Sequence, residues 1–229
     1  MLRLVTYHTP SHYEMCQRFV LSQANEFSEV VAASYSQTCL TGTFKESGWN
    51  TCMLDKLDCL LSLPCDGKAT VYVDSDVAIM PGFAAWCAKV IAAMPADAVS
   101  FADDVVQLCA GVMLFRSTAV VHEWWRLLSL MSPVWKLPDQ DVIDHLRHQV
   151  KQSGGRLPVS VGLLPSEIVC NWATVNAPQI PPPWTGEPFV VPDTCLAWHA
   201  NWVIGIDLKV QMLERVVNRK TSAETSQPA

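Results

Sequence analysis

Charged residues are scarce in this 229-residue sequence: Asp, Glu, Lys and Arg make up 17%, against about 25% in an ordinary soluble domain. Hydrophobic residues make up 50%, so the chain can bury a sizeable core, and this composition excludes extensive disorder. The length suits a single domain. We expect residues 1–218 to form that domain and residues 219–229 to be a flexible C-terminal tail, because "TSAETSQPA" is too polar and small to pack.

Basic clusters and long apolar runs are missing as well. With a net charge of -6 and a pI near 5.4, the chain offers no positive field for a phosphate backbone, so we expect no nucleic-acid partner. No apolar stretch approaches the roughly 20 residues that span a bilayer. The N-terminal "MLRLVTYHTP" also lacks the apolar core of a signal peptide, and we therefore expect a cytoplasmic protein without a transmembrane segment.

Cysteine pairs of the CxxC type are absent, although the sequence contains nine cysteines. Their odd number and scattered positions argue against a disulfide framework. We expect most of them to be small buried hydrophobic residues, with a zinc site as the alternative that lacks the required clustered spacing. The cysteines are Cys16, Cys39, Cys52, Cys59, Cys65, Cys87, Cys109, Cys170 and Cys195.

Strand and helix patterns alternate along most of the chain. Strands are predicted at "LRLVTYH", "EVVAASY", "ATVYVDSD", "DAVSFAD", "CAGVMLF" and "CLAWHAN", and helices from Ser11, through "TCMLDKLDCLLSLP", "GFAAWCAKVIAAM", "TAVVHEWWRLLSLM", "DQDVIDHLRHQVKQSGG" and "DLKVQMLERVVNRK". The proline-rich "VNAPQIPPPWTGEPFVVPDT" is expected to be an extended loop. This order predicts an α/β fold with a Rossmann-like, mostly parallel twisted sheet, in which "ATVYVDSD" is a central parallel strand covered by helices.

Two aspartates, Asp74 and Asp76, follow the apolar strand in "ATVYVDSDVAIMPG". Ligands of such sheets bind beyond the carboxyl ends of the strands. Where the strand ends and the chain turns, two carboxylates at this spacing can converge on one cation, which removes their mutual repulsion. Mn²⁺ and Mg²⁺ prefer oxygen ligands and commonly bind a substrate diphosphate as well. The alternative is that Asp74 caps the turn and Asp76 is a solvated loop residue.

Two later segments carry further candidate residues. In "LAWHANWVIGIDLK", His199 is a candidate imidazole ligand and Lys209 a candidate cation for a diphosphate, although a lone histidine is more often structural. In "LPDQDVIDHL", Asp139 and Asp141 at a helix start are, by themselves, better explained by capping and by favourable interaction with the helix dipole. Gln140 between them adds little to a cap but can hydrogen-bond sugar hydroxyls.

Taken in order, these pieces resemble the nucleotide-diphospho-sugar transferase family of GT-A glycosyltransferases, which is related in pattern to glycogenin-like and bacterial galactosyltransferases. The resemblance spans most of the chain and rests on the order of its motifs. They are "LVTYH", "MLDKLDCLL", "VYVDSDV", "CAGVMLFRST", "DQDVI" and "HANWVIGIDLK".

The resemblance implies a role for residues in each motif. The first strand of such enzymes contacts the nucleotide base, which implicates Thr6 and Tyr7, and the metal site would consist of Asp74, Asp76 and His199. Catalytic positions beneath the donor sugar would be Asp139, Gln140 and Asp141. Further donor contacts would come from Lys56, Asp74, Ala110, Gly111, Asn201, Gly205 and Lys209.

One residue departs from the family pattern. Cys109 stands where the family usually has an asparagine that can touch the donor sugar, so the identity of the sugar is left open. Asp103 or Asp104 would supply the missing polar contact. Trp49, Trp184 and Trp202 are candidates for sugar stacking, although core packing is the more common role for each, and Trp184 is the preferred stacking candidate because it lies in the proline-rich loop.

The resemblance implies a metal-dependent glycosyltransferase that moves a hexosyl or pentosyl group from a nucleotide diphosphate sugar, a UDP-sugar by preference, to a glycan hydroxyl with retention. One alternative is a magnesium-dependent phosphatase of the haloacid-dehalogenase type, in which the first aspartate of DxD is a nucleophile. However, Ala78 replaces the Thr or Val of that motif, and the motif lies far from the N-terminus. A second alternative is a nucleotide- or glycan-binding module without activity. The sequence does not specify an oligomeric state.

Overall fold

A six-stranded sheet forms the centre of the protein in the computed structural model, which describes residues 1–39, 46–105, 107–135, 141–145, 148, 160–176 and 181–225. Its strand order is β2-β1-β3-β6-β5-β7, and β6 alone runs against the others, pairing antiparallel with β3 and β5. The predicted α/β fold with a mostly parallel sheet is therefore confirmed. The strands are β1 (Leu2–His8), β2 (Glu29–Ser34), β3 (Ala69–Val73), β5 (Ala98–Asp103), β6 (Leu108–Phe115) and β7 (Ser160–Leu163).

The central position of β3 is confirmed, but its neighbours differ from the prediction. It pairs parallel with β1 and antiparallel with β6, so it is not flanked by parallel strands on both sides. Its burial explains the sequence pattern nonetheless, because residues 70–73 have almost no exposed surface on either face of the sheet.

A second, three-stranded sheet was not expected from the sequence. It contains β4 (Val77–Ile79), β9 (Ala197–His199) and β8 (Val169–Asn171), in the order β4-β9-β8. Strands of three residues are too short to show a periodic pattern, which is why β4 and β8 were missed. The antiparallel pairing of β4 with β9 places Val77 opposite His199, and this register joins the DxD segment to the late histidine.

Helices cover both faces of the large sheet, with α2 (Trp49–Leu61) and α4 (Thr118–Trp135) on one face and α3 (Phe83–Ala93) on the other. The short α1 (Tyr13–Met15) follows β1, and α5 (Trp172–Asn176) and α6 (Ile206–Thr225) pack around the small sheet. The helix predicted from Ser11 is wrong in detail, since residues 10–26 are a succession of 3₁₀, α and π turns. Helix α6 runs to Thr225, five residues past its predicted end at Lys220, and so includes most of the predicted tail.

The core is divided by the sheet into two layers because alternate strand residues face opposite sides. Val5 and Tyr7 of β1 pack with α2 and α4, where Trp124 and Trp125 are fully buried. Leu4 packs with α3 and the turns of residues 10–26 on the other side. None of the nine cysteines forms a disulfide, and eight of them, all except Cys65, are buried as predicted.

The proline-rich segment contributes to a third cluster around the small sheet. Its first two residues, 175–176, belong to helix α5 and not to the predicted loop, whereas residues 181–194 are extended, and Trp184 forms an isolated β-bridge with Val203. Trp184 is fully buried among Trp198, Met212 and Leu213, and Phe189 packs edge-on against its ring. The part of the chain that is described contains no helix long and apolar enough to cross a membrane.

One buried charge joins three adjacent strand segments. Arg3 of β1 has no exposed surface, and its guanidinium pairs with Glu29 of β2 at 3.1 Å and with Asp66, just before β3, at 2.5 Å. The bond from Arg3 holds the pKa of the Asp66 carboxyl well below its usual range. Both carboxylates are about a third exposed or less and also contact Lys68.

This arrangement predicts an asymmetry between two variants. The double variant Glu29→Gln/Asp66→Asn takes both carboxylates away from the buried Arg3 guanidinium and should lose unfolding free energy markedly. Arg3→Met keeps most of the buried volume and leaves two partly hydrated carboxylates, so it should lose clearly less. Urea unfolding of the two variants measures the difference, and an equal or larger loss for Arg3→Met would contradict the account.

Candidate active site

A cleft of about 570 Å³ opens beyond the carboxyl ends of β1 and β3. This is the edge at which parallel α/β sheets bind their ligands. Many residues that the sequence analysis selected from distant parts of the chain meet here. Those lining the cleft are Tyr7, Lys56, Asp74, Asp76, Asp104, Asp141, His199, Asn201 and Lys209.

Asp74 and Asp76 lie on one side of the chain because it turns immediately after β3. The Val77 amide donates to the Asp74 carbonyl at 3.3 Å, so the segment is a tight turn and the strict alternation of a strand is lost. The Asp74 amide donates a hydrogen bond to the Gly111 carbonyl of β6, and the Ala200 amide donates one to the Asp76 carbonyl. These backbone bonds fix the turn between the two sheets.

His199 completes a group of three potential metal ligands. Its Nε2 lies 3.2 Å from Asp76 Oδ1 and 3.9 Å from Asp74 Oδ2. One ligand atom from each of the three residues lies within 4.8 Å of the others. Two carboxylate oxygens and one imidazole nitrogen suit Mn²⁺, and two carboxylates alone suit Mg²⁺, so the donor set fits the divalent cation that the sequence predicted.

Two lysines neutralise the paired carboxylates. Lys56 of α2 is almost fully buried, and its Nζ lies 3.2 Å from Asp74 Oδ1. Lys209 of α6 approaches Asp76 Oδ2 at 2.5 Å. Burial acts to raise the pKa of Asp76, but Lys209 and His199 outweigh it and hold that pKa well below the usual range. For His199, burial acts to lower the pKa, and Cys109 and Asp76 together raise it well above the usual value.

Asp104 also lines the cleft and is 5% exposed. Its Oδ1 accepts from Asn201 Nδ2 at 2.8 Å and from Trp202 Nε1 at 2.5 Å. Val105 and Trp202, the only described non-glycine residues with positive φ, flank this contact. Left-handed backbone at such residues costs of order 1 kcal/mol each and persists where the surroundings enforce it, which here fixes a carboxylate in the cleft.

Some predicted residues do not line the cleft. Thr6 faces the layer opposite to Tyr7, with its hydroxyl 3.8 Å from Cys16 Sγ, so the alternation along β1 brings only Tyr7 to the site. Ala110 is buried in β6, and Gly205 precedes α6 with a φ of 91°. Asp103 instead accepts from the Val105 amide.

The DQD segment is described only in part. Asp139 and Gln140 lie outside the described residues, whereas Asp141 begins a helical stretch and lines the cleft. Among the tryptophans, Trp49 and Trp202 line the cleft. The preference for Trp184 was wrong, because that ring is buried in the core, where the apolar residues of the proline-rich segment pack.

Sequence reasoning missed five polar residues that line the cleft: Thr9, His12, Gln37, Ser75 and Gln107. The first three follow the ends of β1 and β2, and this position alone was the available signal. His12 Nδ1 lies 2.9 Å from Ser11 Oγ. Burial, followed by the nearby Lys209 charge, lowers the pKa of His12 to about 4, so its imidazole is neutral at pH 7.

Solved glycosyltransferases are similar to this protein in structure. A glycosyltransferase involved in the glycosylation of the major capsid of PBCV-1 superposes with a TM-score of 0.58 and 10% identity, over 93% of this chain and 98% of the other. The galactosyltransferase LgtC superposes with a TM-score of 0.53 and 13% sequence identity, over 96% of this chain and 95% of the other. Mouse xyloside xylosyltransferase 1 superposes with a TM-score of 0.50 and 8% sequence identity, over 87% of this chain and 97% of the other.

These similarities define the fold. No protein-family model matches the sequence, and a search of curated proteins finds no matching relative. At identities of 8–13% the structural neighbours share an architecture over almost the whole of both chains. The chain therefore has the GT-A fold of nucleotide-diphospho-sugar transferases, as the motif order implied.

His12 gives a stability prediction with a definite sign. Its folded pKa of about 4 lies below the unfolded value near 6.5, so the unfolded chain binds more protons between these values, and stability falls as the pH drops through this window. The loss attributable to His12 should reach ~3 kcal/mol at pH 4. Urea unfolding across this range should show a shallower decline for His12→Gln than for the unchanged protein. Parallel curves would contradict the prediction.

Proposed function

We propose that this protein is a metal-dependent glycosyltransferase that transfers a sugar from a nucleotide diphosphate sugar, with UDP as the nucleotide, to a hydroxyl of a glycan. The observation that carries the proposal is the meeting of Asp74, Asp76 and His199 with two buried lysines in the cleft of a GT-A fold. The fold also favours this reaction over the phosphatase alternative, which needs Asp74 as a nucleophile.

The lysines are suited to the leaving group. Lys56 and Lys209 carry their ammonium groups into a cleft with little solvent, where a charge-assisted bond to a phosphate oxygen is strong. In the proposed complex they stabilise the negative charge that grows on the diphosphate as the sugar departs. A bound Mn²⁺ or Mg²⁺, held by Asp74, Asp76 and His199, would supply Lewis-acid stabilisation of the same charge.

The nucleotide is proposed to lie beside β1. Tyr7 lines the cleft there, and its hydroxyl donates to the Cys52 carbonyl at 3.0 Å, which fixes the ring. Trp49, Cys52 and Met53 of α2 provide an apolar surface for a base, and Gln37 provides an amide. His12, neutral at pH 7, offers a further hydrogen bond near Lys209 without adding charge.

The sugar is proposed to lie between Asp104 and Asp141. Carboxylates accept hydrogen bonds from sugar hydroxyls, and Asp104 is held in place by Asn201 and Trp202. Asp104 thus takes the role that Cys109 cannot, since Cys109 has no exposed surface. Asp141, with Asp139 and Gln140, is proposed to shield the oxocarbenium-like centre.

In a retaining transfer the anomeric carbon leaves its phosphate oxygen and bonds to the acceptor oxygen on the same face. The acceptor proton then passes to the departing phosphate. The acceptor glycan is proposed to pack against Pro183, Trp202, Val203 and Ile204, because sugar rings stack on apolar surfaces and Ile204 is 56% exposed at this wall. Activity in the cytoplasm stays a prediction from the sequence.

The first test is a panel of UDP-hexoses and UDP-pentoses with Mn²⁺ or Mg²⁺. A donor that raises the melting temperature only with metal, and that releases UDP, would support the proposal. Testing both sugar classes matters, because both a galactosyltransferase and a xylosyltransferase share the fold. UDP binding without release or transfer for any donor and acceptor would favour the binding module.

Asp76→Asn tests the metal site. Removing this carboxylate should reduce metal-dependent UDP release at least about 100-fold, since the metal contributes several kcal/mol of charge stabilisation. It should also abolish the Mn²⁺-dependent rise in melting temperature. Asp74→Asn provides a second variant if Asp76→Asn does not fold.

Glu123→Gln is the matched control, because Glu123 is exposed on α4, where it pairs with Arg126 at the surface. It should keep both the activity and the metal response. Undiminished turnover in folded Asp76→Asn would remove Asp76 from the proposed site.

A further inference from the structure

The ring of His199 lies against one face of strand β6. Cys109 and Gly111, two residues apart, share that face because strand side chains alternate. Cys109 Sγ lies 3.2 Å from His199 Nδ1, and both residues are buried. Cys109 does not line the cleft, so it has no access to a substrate and no role in sugar contact.

Gly111 leaves the space that the imidazole occupies. A Cβ at this position would lie 2.2 Å from His199 Cε1 and 2.4 Å from Nδ1, closer than any real contact. Residues on either side of it in β6 are fully buried, so the strand cannot move away easily. Any side chain at position 111 would therefore push the ring out of its place.

The two nitrogens of His199 consequently have separate partners. Nε2 points to Asp74 and Asp76, where a metal needs its lone pair, while Nδ1 points to the thiol. A neutral imidazole carries one proton, so a lone pair at Nε2 requires the proton at Nδ1. The sulfur of Cys109 is then the acceptor. Outer partners of this kind are normally carboxylates, carbonyls or water.

We propose that Cys109 is a positioning residue that fixes the tautomer and orientation of His199 for metal binding, with Gly111 providing the space for the ring. This inference rests on the proposed metal site. It also assigns a role to the departure from the family pattern at position 109. The Cys109 thiol contacts the metal ligand His199, and Asp104 makes the proposed contact with the sugar.

The test measures binding of Mn²⁺ alone to the whole protein by calorimetry or by the electron paramagnetic resonance of free Mn²⁺. Cys109→Ala and Cys109→Val remove the acceptor and should weaken binding about 10- to 100-fold. Cys109→Ser restores an acceptor and should bind within a few-fold of the unchanged protein. Gly111→Ala should weaken binding at least as much as Cys109→Ala.

Cys87→Ala is the matched control, since Cys87 is an equally buried cysteine in α3 that does not line the cleft. It should leave the Mn²⁺ affinity unchanged. Melting temperatures without metal identify any variant that has lost its fold. If Cys109→Ala does not fold, the Mn²⁺ affinities of Cys109→Ser and Cys109→Val are compared instead.

The outcomes separate this inference from the proposed function. If the unchanged protein binds Mn²⁺ and Cys109→Ala or Cys109→Val binds it equally well, the positioning role is overturned and the metal site stands. A loss in Cys109→Ser as large as in Cys109→Val would also overturn it, because packing alone would then explain the effect. If the unchanged protein binds no Mn²⁺, the metal site and this inference both fail.

Discussion

Two carboxylates in a confined cleft repel each other and lose hydration, so they persist as anions only where positive charge surrounds them. Asp74 and Asp76 obtain that charge from Lys56, Lys209 and His199, which come from α2, α6 and β9. The elements that supply the cations are far apart in the chain. The fold can therefore be understood as the framework that brings three cationic groups to one acidic turn.

The small sheet is the part of that framework on which the site depends most. Its β4–β9 pairing places His199 beside the turn, and α6, which follows β9, carries Lys209 to the same point. Strand β6 of the large sheet supports the imidazole from behind through Cys109 and Gly111. Because the two sheets meet at this point, a change of register in either one would separate the ligands.

The charges that pair with one another within the site also suit the proposed reaction. A divalent cation needs the carboxylates and a neutral His199, while a diphosphate needs the ammonium groups of Lys56 and Lys209. Binding of both would thus exchange the internal ion pairs for pairs with the metal and the substrate. Asp104, which accepts hydrogen bonds from Asn201 and Trp202 next to strained backbone, provides a fixed polar contact in the cleft.

The sequence by itself determined the sheet class, the burial of the cysteines and the selection of the acidic pair, because apolar runs and the spacing of Asp74 and Asp76 are local properties. The order of motifs added His199 and Lys209, and the structure brings both to the cleft. Only the tertiary structure decided that Tyr7 and not Thr6 faces the cleft, that Trp184 is core, and that Cys109 contacts His199. Those facts depend on strand register and on contacts between residues up to 90 positions apart, which no local pattern encodes.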